Sequence, residues 1–299
     1  MKNNVVTTQN YVYGGISGID LAIDYFDFGE SVELRRTYAH IFSANMMAFA
    51  RPSPKGYHPA PWKATKGGFG YDIIAELRAP EHTSLGESFD AKETIWWIAA
   101  LLRLAYFPHL TVPVISTHSF SVISTSDEEP TLTPLETEGR IFVSSKESNN
   151  VVNIEQLEWV KEKWISAGQL MNGNPKFYSA IKALDIATLR GRASSSLLAM
   201  WGGLEQLFAP STAELRFRVA ALIASYLEPY GAARLNLYRM ILKLYNERCV
   251  AAHTAQEIEI APLVQTYVIM RNILVHMIDL NKVPKQDDLE SLLFCGNNT

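Results

Sequence analysis

From Asn153 onward the apolar residues of this chain recur with helical spacing, and no segment reads as a strand. That half is thereby limited to helices packed on helices. Asn153 can cap a first segment carrying Leu157, Trp159, Val160 and Trp164. Pro175, behind Asn174, suits a first helical position and opens a second segment through Ile181, Leu184 and Ile186. The stretch Ser194–Phe208 is strongly apolar and stops before Pro210. Ser211 and Glu214 have the S-x-x-E spacing of a capping box, which predicts a helix through Tyr226. Arg234 to about Arg248 and Glu257–Leu280 supply two more. Six short-connected helices predict a bundle.

The first half reads as mixed α/β, so the whole is expected to be α+β. Segments near Tyr38–Ala50, Tyr71–Leu77, Thr111–Ser116 and Phe120–Thr125 are rich in β-branched and aromatic residues. Between the first two lies a Pro/Gly-rich excursion, Arg51 to Gly70, expected to be loop. One helix is clear. Asp90 can cap it and Glu93 can close a capping box, after which IWWIAALLRLAYF runs to Pro108. The polar stretch Ser126–Gly139, or Ser144–Asn150 just after it, suits a linker. The expected division is an amino-terminal α/β domain over 1–145, a helical domain over 146–285 and a tail over 286–299.

No run approaches the roughly 18 apolar residues that span a bilayer, and the opening MKNNVVTTQNYVYGG has no basic segment followed by an apolar core. Cys249 and Cys295 are the only cysteines, and neither belongs to a C-x-x-C pair. Together these features predict a cytoplasmic protein without membrane, zinc-ribbon or disulfide chemistry. The net charge of −4 argues against bulk nucleic-acid binding, but residues 176–248 carry 10 basic and 5 acidic side chains. Those cations would attract a phosphate-bearing partner if they share a face, and are otherwise solvated helix surface.

Two segments share the spacing Arg-x4-His: Arg248 with His253, and Arg271 with His276. The chemistry such a pair could serve is well defined. RNA carries its own nucleophile, the 2′-hydroxyl, and an imidazole can take or return that proton near neutral pH. A guanidinium can grip the phosphate and stabilise its growing charge, with no metal or cofactor required. Helix geometry adds a constraint, because five positions separate the two side chains by about 140°. Either the arginine curls round or the helix ends between them. Thr254, Ala255 and Gln256 predict an end near His253, whereas Arg271 and His276 sit within an unbroken apolar run. The other reading of Arg248 and His253 is a helix C-terminus that favours cations.

Context separates the two pairs. The stretch Leu197-Leu-Ala-Met-Trp-Gly-Gly-Leu-Glu205-Gln-Leu-Phe208 resembles the Apea-like HEPN helix that ends in Leu-Glu-x-Leu-Phe. Further on, Leu244-Tyr245-Asn-Glu-Arg248-Cys-Val-Ala-Ala-His253 is similar to that family's Tyr-x-x-Arg-x4-His segment, and Glu257–Leu280 supplies the final helix. The resemblance covers the carboxy-terminal half only. It implies a helical bundle that pairs with a second copy around one RNA cleft, cleavage leaving a 2′,3′-cyclic phosphate, and service as a toxin or antiviral effector. It further implies that Arg248 binds phosphate, His253 acts as general acid/base, Glu205 orients the arginine and Tyr245 packs beside the site. Cys249 stands where the family usually has a small polar residue, and Thr254 where it often has Gly.

Arg271, Asn272 and His276 are the second-choice catalytic set, with a structural role expected from their apolar helix. His40, His58, His82, His109 and His118 have no metal-ligand spacing and are expected to be surface or core residues. Lys66-Gly-Gly-Phe-Gly70 lacks a phosphate loop's Gly-Lys-Ser/Thr ending and reads as a turn. Trp96, Trp97, Trp159, Trp164 and Trp201 lie in helical apolar runs and are expected in the core. The alternative to an active nuclease is a silent HEPN module that binds RNA or nucleotides and dimerises. In either case the first domain would sense a ligand or protein partner.

Overall fold

A computed structural model describes residues 10–42, 46–54, 56, 58–64, 70–140, 150–189, 191–209, 214–253 and 259–295. The chain is α+β. Its first half contains strands β1 (Tyr11–Ser17), β2 (Asp20–Leu21), β3 (Tyr25–Gly29), β4 (Val32–Phe42), β5 (Met46–Ala48), β6 (Trp62–Ala64) and β7 (Gly70–Pro80). Helix α1 (Ala91–Ala105) follows, then β8 (Thr111–Ser116), β9 (Leu132–Pro134) and β10 (Val151–Val152). The second half holds α2 (Ile154–Gly173), α3 (Pro175–Ala187), α4 (Ala193–Phe208), α5 (Leu215–Leu227), α6 (Ala232–His253), α7 (Ile260–Asp279) and α8 (Gln286–Phe294). No helix among the described residues is long and apolar enough to cross a membrane.

Six strands form one antiparallel sheet in the order β3-β4-β7-β1-β8-β9. Helix α1 lies across it and approaches β1 closely where that strand has Gly14, since a Cβ there would come 2.5 Å from Ile95 Cγ2. The helix begins where Asp90 accepts from the Glu93 amide, but Glu93 pairs with Lys182 instead of closing the box. Its apolar residues point in every direction, as in a helix buried on all sides. That is its position, between the sheet and the bundle. Trp97 Nε1 donates to Trp164 O on α2 (2.9 Å), and Trp164 Nε1 in turn donates to Phe28 O on β3 (3.0 Å).

The hydrophobic core therefore runs across the expected boundary near residues 126–150 without interruption. Residues 141–149 lie outside the described residues. A buried ionic cluster joins the same layers. Asp185 on α3 accepts from Arg103 Nε on α1 (2.7 Å), from Trp96 Nε1 (2.8 Å) and from Arg140 Nη1 (3.3 Å). Glu136 meets both guanidiniums, at 3.2 Å from Arg103 and 2.9 Å from Arg140.

Several boundaries differ from the sequence reading. Phe120–Thr125 is a turn running into a 3-10 turn, because the Glu76 carboxylate takes the Phe120 amide and the Ser119 hydroxyl. The Arg51–Gly70 excursion contains β6, which pairs with β5, and residues 65–69, with most of the Lys66–Gly70 turn, lie outside the described residues. So do 43–45 of the Tyr38–Ala50 segment. Glu214, expected three residues into the helix, is instead the N-cap of α5 in a left-handed conformation (φ 52°); Ser211 lies outside the described residues. Asn153 and Pro175 open α2 and α3 as expected. The expected tail carries α8, anchored by the buried Leu289 and started by Asp288, which accepts from Lys285 N at 2.8 Å.

Candidate functional site

Helix α6 runs unbroken from Ala232 through Arg248 to its last residue, His253. The two candidate catalytic side chains therefore stand about 140° apart on one helix. Arg248 faces α4. There Glu205 takes Tyr245 Oη at 2.9 Å and Arg248 Nη2 at 3.3–3.4 Å. The ring of Trp201, one turn before Glu205, meets Tyr245 edge-on at 5.0 Å. The guanidinium also lies 5.6 Å from the Tyr245 ring centre, so aromatic and carboxylate together hold the cation.

Burial pushes the Tyr245 phenol up to about 12, and Glu205 adds to the rise. The tyrosine is consequently a fixed donor at neutral pH and positions Glu205. Arg248 keeps about a quarter of its side chain exposed (26%), and its buried Nε has no hydrogen-bond partner among the described residues. Cys249 is a half-buried free thiol. His253 is exposed on the opposite side of α6, along the line of Leu235 and Leu242. Thr254 and the rest of 254–258 lie outside the described residues. The structure thus brings Glu205, Tyr245 and Arg248 together and leaves His253 apart from them within one chain.

The second pair does not converge either. Arg271 donates from Nε to Leu104 O (2.7 Å) and from Nη2 to Ala105 O, capping the last carbonyls of α1. Its Nη1 reaches the adjacent Asn272 side chain at 3.3 Å. His276 is exposed, with its ring edge-on to Tyr226 at 5.2 Å.

Comparison with protein-family models, with curated proteins and with solved structures returns no match. The site's chemistry therefore rests on its own geometry.

Three of the ten cations of residues 176–248 have partners within the chain. Lys182 pairs with Glu93 and lies over Trp96, Arg234 donates to the carbonyls of Glu228 and Leu292, and Arg248 is held by Glu205. Among the described residues no group of three or more His, Cys, Asp or Glu could hold a metal ion. His40 bonds Asp72 at 2.7 Å and His118 bonds Glu128 at 2.9 Å. Burial lowers the His109 pKa, with a backbone bond to Gly18 opposing. Of the tryptophans, Trp97, Trp164 and Trp201 are fully buried, as expected.

Sequence reasoning missed the Arg103–Glu136–Arg140–Asp185 cluster. One signal was present, a lone arginine inside the apolar run Ile95–Phe107, where an unpaired charge would be untenable.

Proposed function

We propose that this chain is a metal-independent, cytoplasmic HEPN-type endoribonuclease, cleaving RNA by 2′-hydroxyl transesterification as a two-fold dimer. One observation supports this most. Glu205 belongs to one of the two motif segments and Tyr245 and Arg248 to the other, yet all three join in a single hydrogen-bonded group. In the proposed reaction Arg248 grips the scissile phosphate, through donors that Glu205 leaves free, and stabilises its developing charge. His253 takes the 2′-hydroxyl proton and returns one to the leaving oxygen, the oxygen–phosphorus bond to the next nucleotide breaking as the cyclic phosphate forms.

One copy offers an incomplete set, because Arg248 and His253 diverge on α6. A second copy is the natural completion. The side of α6 that carries His253 also bears the exposed Leu235 and Val250 and the half-buried Tyr238 and Leu242, with Phe217 of α5 edge-on to Tyr238. That apolar stripe is the surface we assign to the homodimer. The first half would sense a ligand or protein trigger, in the manner of a toxin or antiviral effector.

A second reading, a catalytically silent HEPN module that binds RNA or nucleotides, is favoured by the neutralisation of Arg248 by Glu205. Incubating the full chain with unstructured RNA in excess EDTA separates the two. The nuclease reading expects cleavage ending in 2′,3′-cyclic phosphate and lost in His253→Ala and in Arg248→Ala. The silent module expects intact RNA, retained by the wild type and released by Arg248→Ala. Neither cleavage nor binding would overturn both.

A further inference from the structure

The ribbon of β5 and β6 takes no part in anything proposed above. Its strands lie in the chain between β4 and β7 and pair only with each other, Ala48 standing opposite Trp62 and Met47 opposite Lys63. A two-stranded ribbon is marginally stable alone in water. This one nevertheless holds two large apolar side chains in the open. Phe49, directly after β5, is 61% exposed, and Trp62 on β6 is 60% exposed.

The indole is fixed in that exposed position. Its Nε1 donates to the carbonyls of His58 (3.0 Å) and Pro59 (3.1 Å). The loop that supplies them is tied back in turn. His58 Nδ1 donates to Ala50 O at 2.9 Å, and the Phe49 amide donates to Pro61 O at 3.4 Å. Pro52, Pro54, Pro59 and Pro61 restrict the loop backbone further. With its N–H edge committed to the loop and most of its surface in solvent, the Trp62 ring is a stacking platform that costs little to order on binding.

Charge points to the class of partner. From Leu34 to Tyr71 the sequence contains no Asp or Glu, while Arg51, Lys55, Lys63 and Lys66 fall within and beside the ribbon. Arg51 and Lys63 are exposed and form no ion pair among the described residues; Lys55 and Lys66 lie outside them. The first acids on either side are already held, Glu33 by Arg35 (2.7 Å) and Arg78 (2.5 Å), and Asp72 by His40 (2.7 Å). In a chain of net charge −4 the ribbon is thus a local concentration of cations with aromatic rings among them. Cations meet phosphates, and an exposed ring offers a face to an unpaired base. A membrane also attracts cations and aromatics, but the ribbon is built the wrong way round for one. Its tip would carry Arg51 into the hydrocarbon ahead of Trp62, where a charge is costly.

We propose that the β5–β6 ribbon is a binding surface for single-stranded nucleic acid. Trp62 and Phe49 stack against unpaired bases, and Arg51 and Lys63 contact the phosphates. Neither contact reads the sugar or the base edges, so the surface takes single strands as a class.

The test is fluorescence anisotropy of the full chain at low salt with a labelled oligodeoxythymidine of about 20 nucleotides, longer than common single-strand sites. This strand lacks the 2′-hydroxyl, so it stays intact even if the chain is the nuclease proposed above, and the result does not depend on that reading. Binding is expected, and about tenfold weaker binding to a duplex of the same length, whose bases are already stacked. Trp62→Ala and Phe49→Ala should each weaken the strand about tenfold, and Trp62→Phe, which keeps a stacking face, by less. Arg51→Gln combined with Lys63→Gln should flatten the slope of log affinity against log salt by about 1.4, since each neutralised phosphate of a single strand contributes about 0.7. All four side chains are exposed, so thermal melting should match wild type; if Trp62→Ala disturbs the ribbon, Phe49→Ala and the salt slope decide. Four results would each overturn the proposal: no binding of the strand by about 100 μM, unchanged affinity in both alanine variants, an unchanged salt slope in the double variant, or a duplex bound as tightly as the strand. Capture of phosphatidylserine vesicles with no binding of the strand would assign the ribbon to a membrane instead, and would overturn it equally.

Discussion

Asp185→Asn is nearly isosteric and removes one negative charge from the cluster that joins the sheet's helix to the bundle. In the native arrangement two guanidiniums, of Arg103 and Arg140, face two carboxylates, of Glu136 and Asp185, so the group is neutral. The side chains of Arg103 and Arg140 are only 4% and 1% exposed, which leaves water little part in the balance. The substitution therefore strands a net positive charge in the interior. Removing one partner of a buried pair costs on the order of 3–5 kcal/mol, which for a chain of this size lowers Tm by roughly 10 °C. The sign with pH follows from the carboxyl itself. Burial alone would raise the pKa of Asp185, but Arg103 and Arg140 outweigh it and hold the value below the ordinary range. A depressed pKa contributes stability above the unfolded value of about 3.9, and the contribution fades as pH falls through the lower folded value. Urea unfolding at pH 7 should show the full deficit, and at about pH 3 wild type and variant should draw together. A deficit below about 1 kcal/mol at pH 7, or one that does not narrow on acidification, would refute this account of the cluster.

Arg271→Met should cost about 1–3 kcal/mol in denaturant unfolding, because the carbonyls of Leu104 and Ala105 lose their donors, and any ribonuclease activity per folded molecule should stay near wild type. Arg248→Ala and His253→Ala should each lower an RNA cleavage rate by about 10²-fold or more, with the exposed His253 variant matching wild type in thermal melting. Cys249→Asn should preserve or raise cleavage, measured on the same RNA, since it restores a small polar neighbour to Arg248.

Local signals were readable where one residue acts on its own helix. Asp90, Asn153 and Pro175 each do what their spacing predicts, and β8 has the expected bounds. The meeting of Glu205 with Arg248 was legible only through the family resemblance of their two segments, and Tyr245, expected to pack beside the site, also donates to Glu205. What escaped depends on distant partners. Arg103 finds Asp185 only because α3 packs beside α1, and Arg140 only because its segment meets the end of α3 at Leu189; nothing near these residues announces it. Phe120–Thr125 looks like a strand until the Glu76 carboxylate takes its first amide. Strands β1 and β3 were missed because paired glycines in one and Asp27 with Gly29 in the other dilute the β signal. Helix α8 is short and acidic, and Leu289, with the half-buried Leu292 and Leu293, marks its packed side in only nine residues.

The embedding of α1 has a consequence for the order in which this chain can fold. Trp97 waits for Trp164, Arg103 for Asp185, and the final carbonyls of α1 for Arg271, 167 positions after Leu104. During synthesis one flank of this almost wholly buried helix stays uncovered until nearly all of the chain has been made. Contacts of such high sequence separation slow folding and expose adhesive surface meanwhile. Refolding from urea should accordingly be slow, and recovery should fall as protein concentration rises; fast, concentration-independent recovery would show that α1 finds a temporary cover closer at hand.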